Sequence, residues 1–264
     1  MSIGDAEIKT QERVIRFFKD PEILGYQYIG NLSDYQNKNI KEDRLRQYLR
    51  LKGYADKLID AAIMQLQQEA GNLSRGVYDA NKTVYSRLKY GIPVSESPEK
   101  PPVTVQLVDE EKPLNNDFAI AEEVTVVEQS EKRPDLVVYL NGIAVAVIEL
   151  KRSSISVSEG IRQNLTNQKN SFIQSFFTTM QFCMAGNESE GLRYGTLLTG
   201  EKFYMEWKDD GFKEHEEERD PVDVRISKTC EGIENKLLKQ IYAMFDKERF
   251  IDLITVSYTH LTLP

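Results

Sequence analysis

Cysteine and histidine are scarce in this chain. Two of each, Cys183 and Cys230 with His215 and His260, occur in 264 residues. Neither pair has ligand spacing, which argues against zinc chemistry and against a Ser-His-Asp triad. The cysteines read as free thiols. Any metal would then be a hard cation held by oxygens, with magnesium the first choice. No run of about 18 apolar residues is present, so no membrane-spanning helix is expected. Met1 is followed by polar and acidic residues instead of the basic-then-apolar start of a secretory signal, and the expected location is the cytoplasm. Positive charge is also short: 34 Lys and Arg against 42 Asp and Glu leave a net charge of −8. That argues against a chain that grips nucleic acid tightly by itself, and leaves room for an acidic domain whose partners supply the grip.

What remains is an ordinary globular composition, 40% apolar and 29% charged, long enough for one large domain or two small ones. The front of the chain is helical in pattern. Val14, Phe17 and Phe18 fall at helical spacing in residues 8–19, and residues 42–68 read as two helices separated by Gly53. A further short helix fits residues 79–88, ended by Gly91 and Pro93, and residues 25–31 read as a turn or short strand. Residues 95–102 (SESPEKPP) form an exposed connector and a possible boundary. Beyond it the period changes to two, with strands expected over 103–107, within 118–127, at 192–198 and again through Phe203, Met205 and Trp207. A helix capped by Ser156 or Ser158 follows residue 156, and a final amphipathic helix spans 233–250 after a charge-dense loop at 208–223. The fold class is α/β: a mixed, mostly antiparallel central sheet flanked by helices.

The centre of the chain is residues 134–151, PDLVVYLNGIAVAVIELK. Two apolar runs flank Asn141-Gly142, the strongest short-range hairpin signal. Charge is confined to the open end: Asp135 before the first strand, Glu149 and Lys151 at the end of the second, on one face because strand side chains alternate. A single charge there would only mark where a buried strand meets water. Three together suit metal-assisted phosphodiester hydrolysis. Asp135 and Glu149 can hold magnesium, with the carbonyl of Leu150 a further ligand. Lys151 can orient or help deprotonate the attacking water, or stabilise charge on the phosphorane.

This chemistry demands a particular register. A two-residue turn pairs Leu140 with Ile143 and sets Asp135 against Ile148, leaving Glu149 on the other face. A three-residue, bulged turn pairs Leu140 with Ala144 and brings Asp135 opposite Glu149. Displacement of Asp135 by Pro134 would serve equally. The expectation is therefore a bulged turn or a displaced Asp135.

Pro134-Asp135 followed by Glu149-Leu150-Lys151 resembles the PD-(D/E)xK nuclease signature. With its context, RPDLVVYLNGIAVAVIELKRSS, the stretch resembles the nuclease domain of the R subunit of type I restriction-modification enzymes. Similar segments are NKTVYSRLKYG (81–91), NNDF (115–118), GIRQNLTNQ (160–168) and LRYG (192–195). The resemblance implies a restriction-endonuclease-like fold with a helical region over 1–95, a nuclease core over 96–210, and an acidic loop and helix over 211–264 leading toward a motor domain. It implies Asp135, Glu149 and Lys151 as catalytic set, with Gln163 as the Gln of a QxxxY motif whose Tyr position here holds Asn167. Some superfamily members add a glutamate from the first helix, for which Glu12 is the candidate. DNA and the modification and specificity subunits are the implied partners, and Mg2+ the cofactor. ATP belongs to a motor beyond this chain, since no GxxxxGK[ST] is present. The tail, residues 257–264, fits the family poorly and reads as a scar. Two other readings stand beside the nuclease: a silent docking domain, against which the three converging charges argue, and a carboxylate-pair glycosidase, against which the lysine and the single Trp argue.

Overall fold

In the computed structural model, residues 3–97, 99–208 and 220–255 are described. The helical front consists of α1 (Ile3–Lys19), α2 (Glu42–Leu51), α3 (Asp56–Gly71) and α4 (Val77–Tyr90), with a short strand β1 (Gln27–Asn31) after α1. Gly53 breaks α2 from α3 in a left-handed conformation, φ +84°, which glycine adopts without cost. Strands β2 (Ile92–Val94) and β3 (Val103–Val105) pair with each other, so the proline-rich connector is the loop of a small hairpin.

The central sheet adds β4 (Phe118–Glu122), β7 (Leu136–Leu140), β8 (Ile143–Leu150), β9 (Phe182–Asn187) and β10 (Gly191–Gly195). Its order is β1-β4-β7-β8-β9-β10. The β1–β4 and β8–β9 pairs are parallel and the other three antiparallel, a mixed sheet with antiparallel pairs in the majority. Between β4 and β7 lies the small β5 (Val126–Val127) and β6 (Glu131–Lys132) hairpin. Helix α5 (Val157–Asn167) crosses over from β8 to β9, the connection that a parallel pair requires.

Both faces of the sheet are covered. Leu136, Val138, Leu140, Ile148 and Leu150 pack in one cluster with residues of α1 to α4 and the C-terminal helices. Val137, Tyr139, Ala144 and Val147 pack in a second with Ile173, Phe176 and Phe177. Every residue of β7 and β8 is buried. At about 1.5–3 kcal/mol for each large apolar side chain removed from water, this hairpin contributes strongly to the core.

The turn differs from the expectation. Asn141 (φ 52°) and Gly142 (φ 82°) form a tight two-residue turn of the primed type, and Leu140 pairs with Ile143. The bulge lies inside β8 instead: Tyr139 pairs with Ala144 but Val138 with Ala146, leaving Val145 as the extra residue. Val145 and Ala146 consequently pack into the same cluster, and the alternation changes phase. The register beyond it ends with Leu136 against Ile148, so one step further Asp135 falls opposite Glu149, and the two carboxyl groups are close enough for Asp135 to act on Glu149. The required juxtaposition is met, by a strand bulge in place of a bulged turn.

Three other expectations change. Residues 203–207 form no regular strand; Glu201–Phe203 is a 3-10 turn, and Met205 bridges Tyr194 alone. The final helix is two, α7 (Lys236–Phe245) and α8 (Lys247–Thr255), broken at Asp246, which leaves helical geometry and pairs with Arg225 at 2.6 Å. Arg225 lies on α6 (Pro221–Glu231), which starts inside the stretch expected to be loop and is capped by Asp220. The rest of that loop, residues 209–219, and the tail 257–264 lie outside the described residues.

Candidate active site

The open end of the hairpin gathers the expected side chains. Past the bulge, the phase of β8 puts Glu149 and Lys151 on the face that Asp135 occupies. Asp135 Oδ2 accepts a hydrogen bond from the Leu150 N–H at 2.7 Å, so the main chain of Leu150 faces Asp135. The N–H and C=O of an extended residue project toward the same edge, which leaves the Leu150 carbonyl on the Asp135 side.

Helix α5 closes the site from the sheet face. Ser156 caps it by accepting from the Ser158 N–H, and Glu159 in the first turn suits the helix dipole. Asn164 ties it to β9 by donating to the Met184 carbonyl at 2.7 Å. Gly160 permits the close approach: a Cβ there would stand 2.9 Å from Ala185 Cβ and 3.4 Å from Glu149 Cβ. Gln163, one turn on, donates to Glu149 Oε2 at 2.6 Å. Asn167 lines the same groove as Gln163, one helical turn further, and is buried.

Glu149 is wholly buried, and its Oε1 has no hydrogen-bond partner. Burial first, and then the neighbouring Asp135 carboxylate, push its pKa well above the usual carboxylate range. Burial likewise raises Asp135 to about 6, against the opposing pull of the Leu150 N–H and Lys151. Burial would lower Lys151, but Asp135, Glu149 and Glu7 together outweigh it, and its pKa is raised.

Glu7 was not anticipated. Its Oε1 lies 3.2 Å from Lys151 Nζ, bringing α1 to the site. Glu12, the glutamate expected from this helix, is exposed and lines the same cleft as Glu7 and Asp135. The signal was present: Val14 and Phe18, extended back along the helix, lead through Gln11 to Glu7, whereas Glu12 falls off that stripe. Glu123 is the second addition. It sits at φ 50°, donates its N–H to the Asp135 carbonyl at 2.8 Å, and pairs with Arg133 at 2.7 Å.

Two openings flank this cluster. One, about 370 Å³, is lined by Lys132, Arg133, Lys151, Arg162 and Gln163, with Glu159 at its rim. The other, about 720 Å³, is lined by Glu7, Glu12, Glu122, Glu123 and Asp135, with Arg133 again at the border. No helix among the described residues is long and apolar enough to cross a membrane.

A sequence model of the type I restriction enzyme R protein N terminus matches residues 7–203, which include every site residue named above. No curated protein matches the chain. The match spans most of the chain, and the mixed six-stranded sheet agrees with a restriction-endonuclease-like fold: the chain belongs to the type I restriction enzyme R protein N-terminal family.

Proposed function

We propose, with that membership as premise, that the open end of the β7–β8 hairpin is a magnesium-dependent site for hydrolysing DNA phosphodiester bonds. One observation carries the reading: the β8 bulge aligns Asp135 with Glu149, and a Glu149 oxygen is left buried without a partner. An unpaired buried carboxylate oxygen is costly, and a divalent cation is its natural counterpart.

The donor set fits magnesium. Asp135, Glu149 and the Leu150 carbonyl would hold the ion. Among the described residues no cluster of three or more His, Cys, Asp or Glu donors occurs, so water would complete the shell. Magnesium favours such a shell, with one or two carboxylates and retained water. When bound, the ion polarises a phosphoryl oxygen and makes water more acidic. Lys151, beside both carboxylates, can stabilise charge on the phosphorane or orient the attacking water. Gln163 fixes the Glu149 carboxylate through its amide, leaving Oε1 to face a ligand.

On this reading cleavage is coupled to an ATP-driven motor and to modification and specificity subunits, and ATP is not used at this site. The test is restriction by the reconstituted complex carrying Lys151→Ala. ATP-driven translocation survives and cleavage is lost; unchanged cleavage would remove Lys151 from the mechanism.

A further inference from the structure

We infer that the groove between β6 and α5 carries the DNA backbone to the site, with Lys132, Arg133 and Arg162 as its phosphate contacts. The inference rests on the reading of the site as one that acts on DNA, and extends it to how the strand is held.

The molecule is acidic as a whole, so a polyanion must land where charge reverses locally. Of the two openings beside Asp135, one is lined by four cations and a single carboxylate, and the other by five carboxylates and a single cation. A sugar-phosphate backbone is attracted along the first and repelled by the second. The groove also reaches the chemistry, since Lys151 and Gln163 belong to its wall.

The cationic heads are held at the rim. Lys132 Nζ lies 4.7 Å from the centre of the Phe172 ring. Arg133 is oriented by Glu123, and Arg162 by Glu159 at 2.7 Å and Glu201 at 2.9 Å. Arg133 and Arg162 remain 55% and 53% exposed, and ion pairs this exposed are weak, so an arriving phosphate can displace or share them. A guanidinium has five donors, enough to keep a carboxylate and take a phosphate oxygen.

The experiment is fluorescence anisotropy with a labelled DNA duplex and the full 264-residue chain in EDTA, across a salt series. Lys132→Ala combined with Arg162→Ala is expected to weaken binding at least ~10-fold and to flatten the slope of log K against log salt by roughly 2, one for each phosphate left without its cation. Lys132→Arg with Arg162→Lys restores the slope, which separates charge from folding. Glu12→Gln, in the acidic cleft, leaves binding unchanged or tighter. Lys89→Ala, in a separate pocket with Lys52 and Glu110, changes nothing. An unchanged slope in the double alanine variant, an equal loss in Lys89→Ala, or no binding by the parent chain at low salt would overturn the groove. Groove-dependent binding by the chain, with no cleavage by the reconstituted complex under any divalent cation, would remove the nuclease reading and keep the groove. Cleavage with unchanged KM in the double variant would do the reverse.

Discussion

At its turn, the β7–β8 hairpin is sealed. Asn141 is wholly buried; its amide donates to the Leu107 carbonyl and to Asn116 Oδ1, each at 2.8 Å, and its Oδ1 accepts from the Asp117 N–H at 2.6 Å. Gly142 lies under α2, with room for no side chain: a Cβ would come within 2.7 Å of the Lys41 carbonyl and the Leu45 N–H. At its other end the same two strands leave a carboxylate oxygen unpaired and crowd three carboxylates around one lysine. The turn end satisfies the polar groups of Asn141 and stabilises the fold. The open end crowds acidic groups that, on the proposed reading, a divalent cation would hold. Substitutions at the two ends should therefore separate stability from chemistry.

The largest separation is expected at the open end. Lys151→Ala or Glu149→Gln should lower cleavage by the reconstituted complex about 10³-fold or more, in the range that positioned acid-base and charge-stabilising groups supply. The denaturant midpoint should stay level or rise for Glu149→Gln, because a desolvated carboxylate is removed, and fall for Lys151→Ala, which leaves the carboxylates without their cation.

The opposite pattern belongs to the turn. Gly142→Ala combines a left-handed backbone with a backbone clash and should cost about 3 kcal/mol or more. Asn141→Ala, which orphans buried partners, should cost about 2–3 kcal/mol. Both are read from chemical denaturation, and specific activity per folded molecule should hold.

The pH dependence tests the repulsion directly. Asp135 has its folded-state pKa raised from 3.8 to about 6. The folded state therefore keeps its proton longer than the unfolded state, and the associated stability is present below about pH 4 and lost as pH rises through about 6. Glu149 acts in the same direction. Thermal melts of the metal-free chain between pH 4 and 7 should show the fall, and Asp135→Asn should flatten it.

The smallest effect is expected where α5 meets the open end. Gly160→Ala should push the helix by a few tenths of an ångström from Ala185 and loosen the bond of Gln163 to Glu149. About 1 kcal/mol of stability and about tenfold in cleavage should be lost, measured side by side. A stability loss with unaltered cleavage would show that Gln163 does not position Glu149.

The two ends were also unequally legible in the sequence. Asn-Gly between β-rich runs announced the turn, and the capping serine with its first-turn glutamate announced α5. The bulge could not be placed, because Ala144, Val145 and Ala146 are small and apolar and lie in a strand buried on both faces, where alternation carries no signal. Strand β9 escaped for the same reason: FCMAGN is buried at every position and shows no period of two. Chemistry filled the first gap, since the demand that Asp135 meet Glu149 required a phase change somewhere in the hairpin. For Glu7 the stripe of the first helix gave its inward face but not its partner, since the 144 positions to Lys151 are closed only by the tertiary fold.

On the proposed reading, Asp135 and Glu149 together hold a divalent cation. The direct measurement is the melting temperature of the chain as magnesium is titrated in at pH 7, beside Glu149→Gln. A ligand that binds only the folded state raises stability with its concentration. A saturable rise is expected for the parent chain and none for Glu149→Gln. An equal response from both, or no response from the parent, would remove the cation from Asp135 and Glu149.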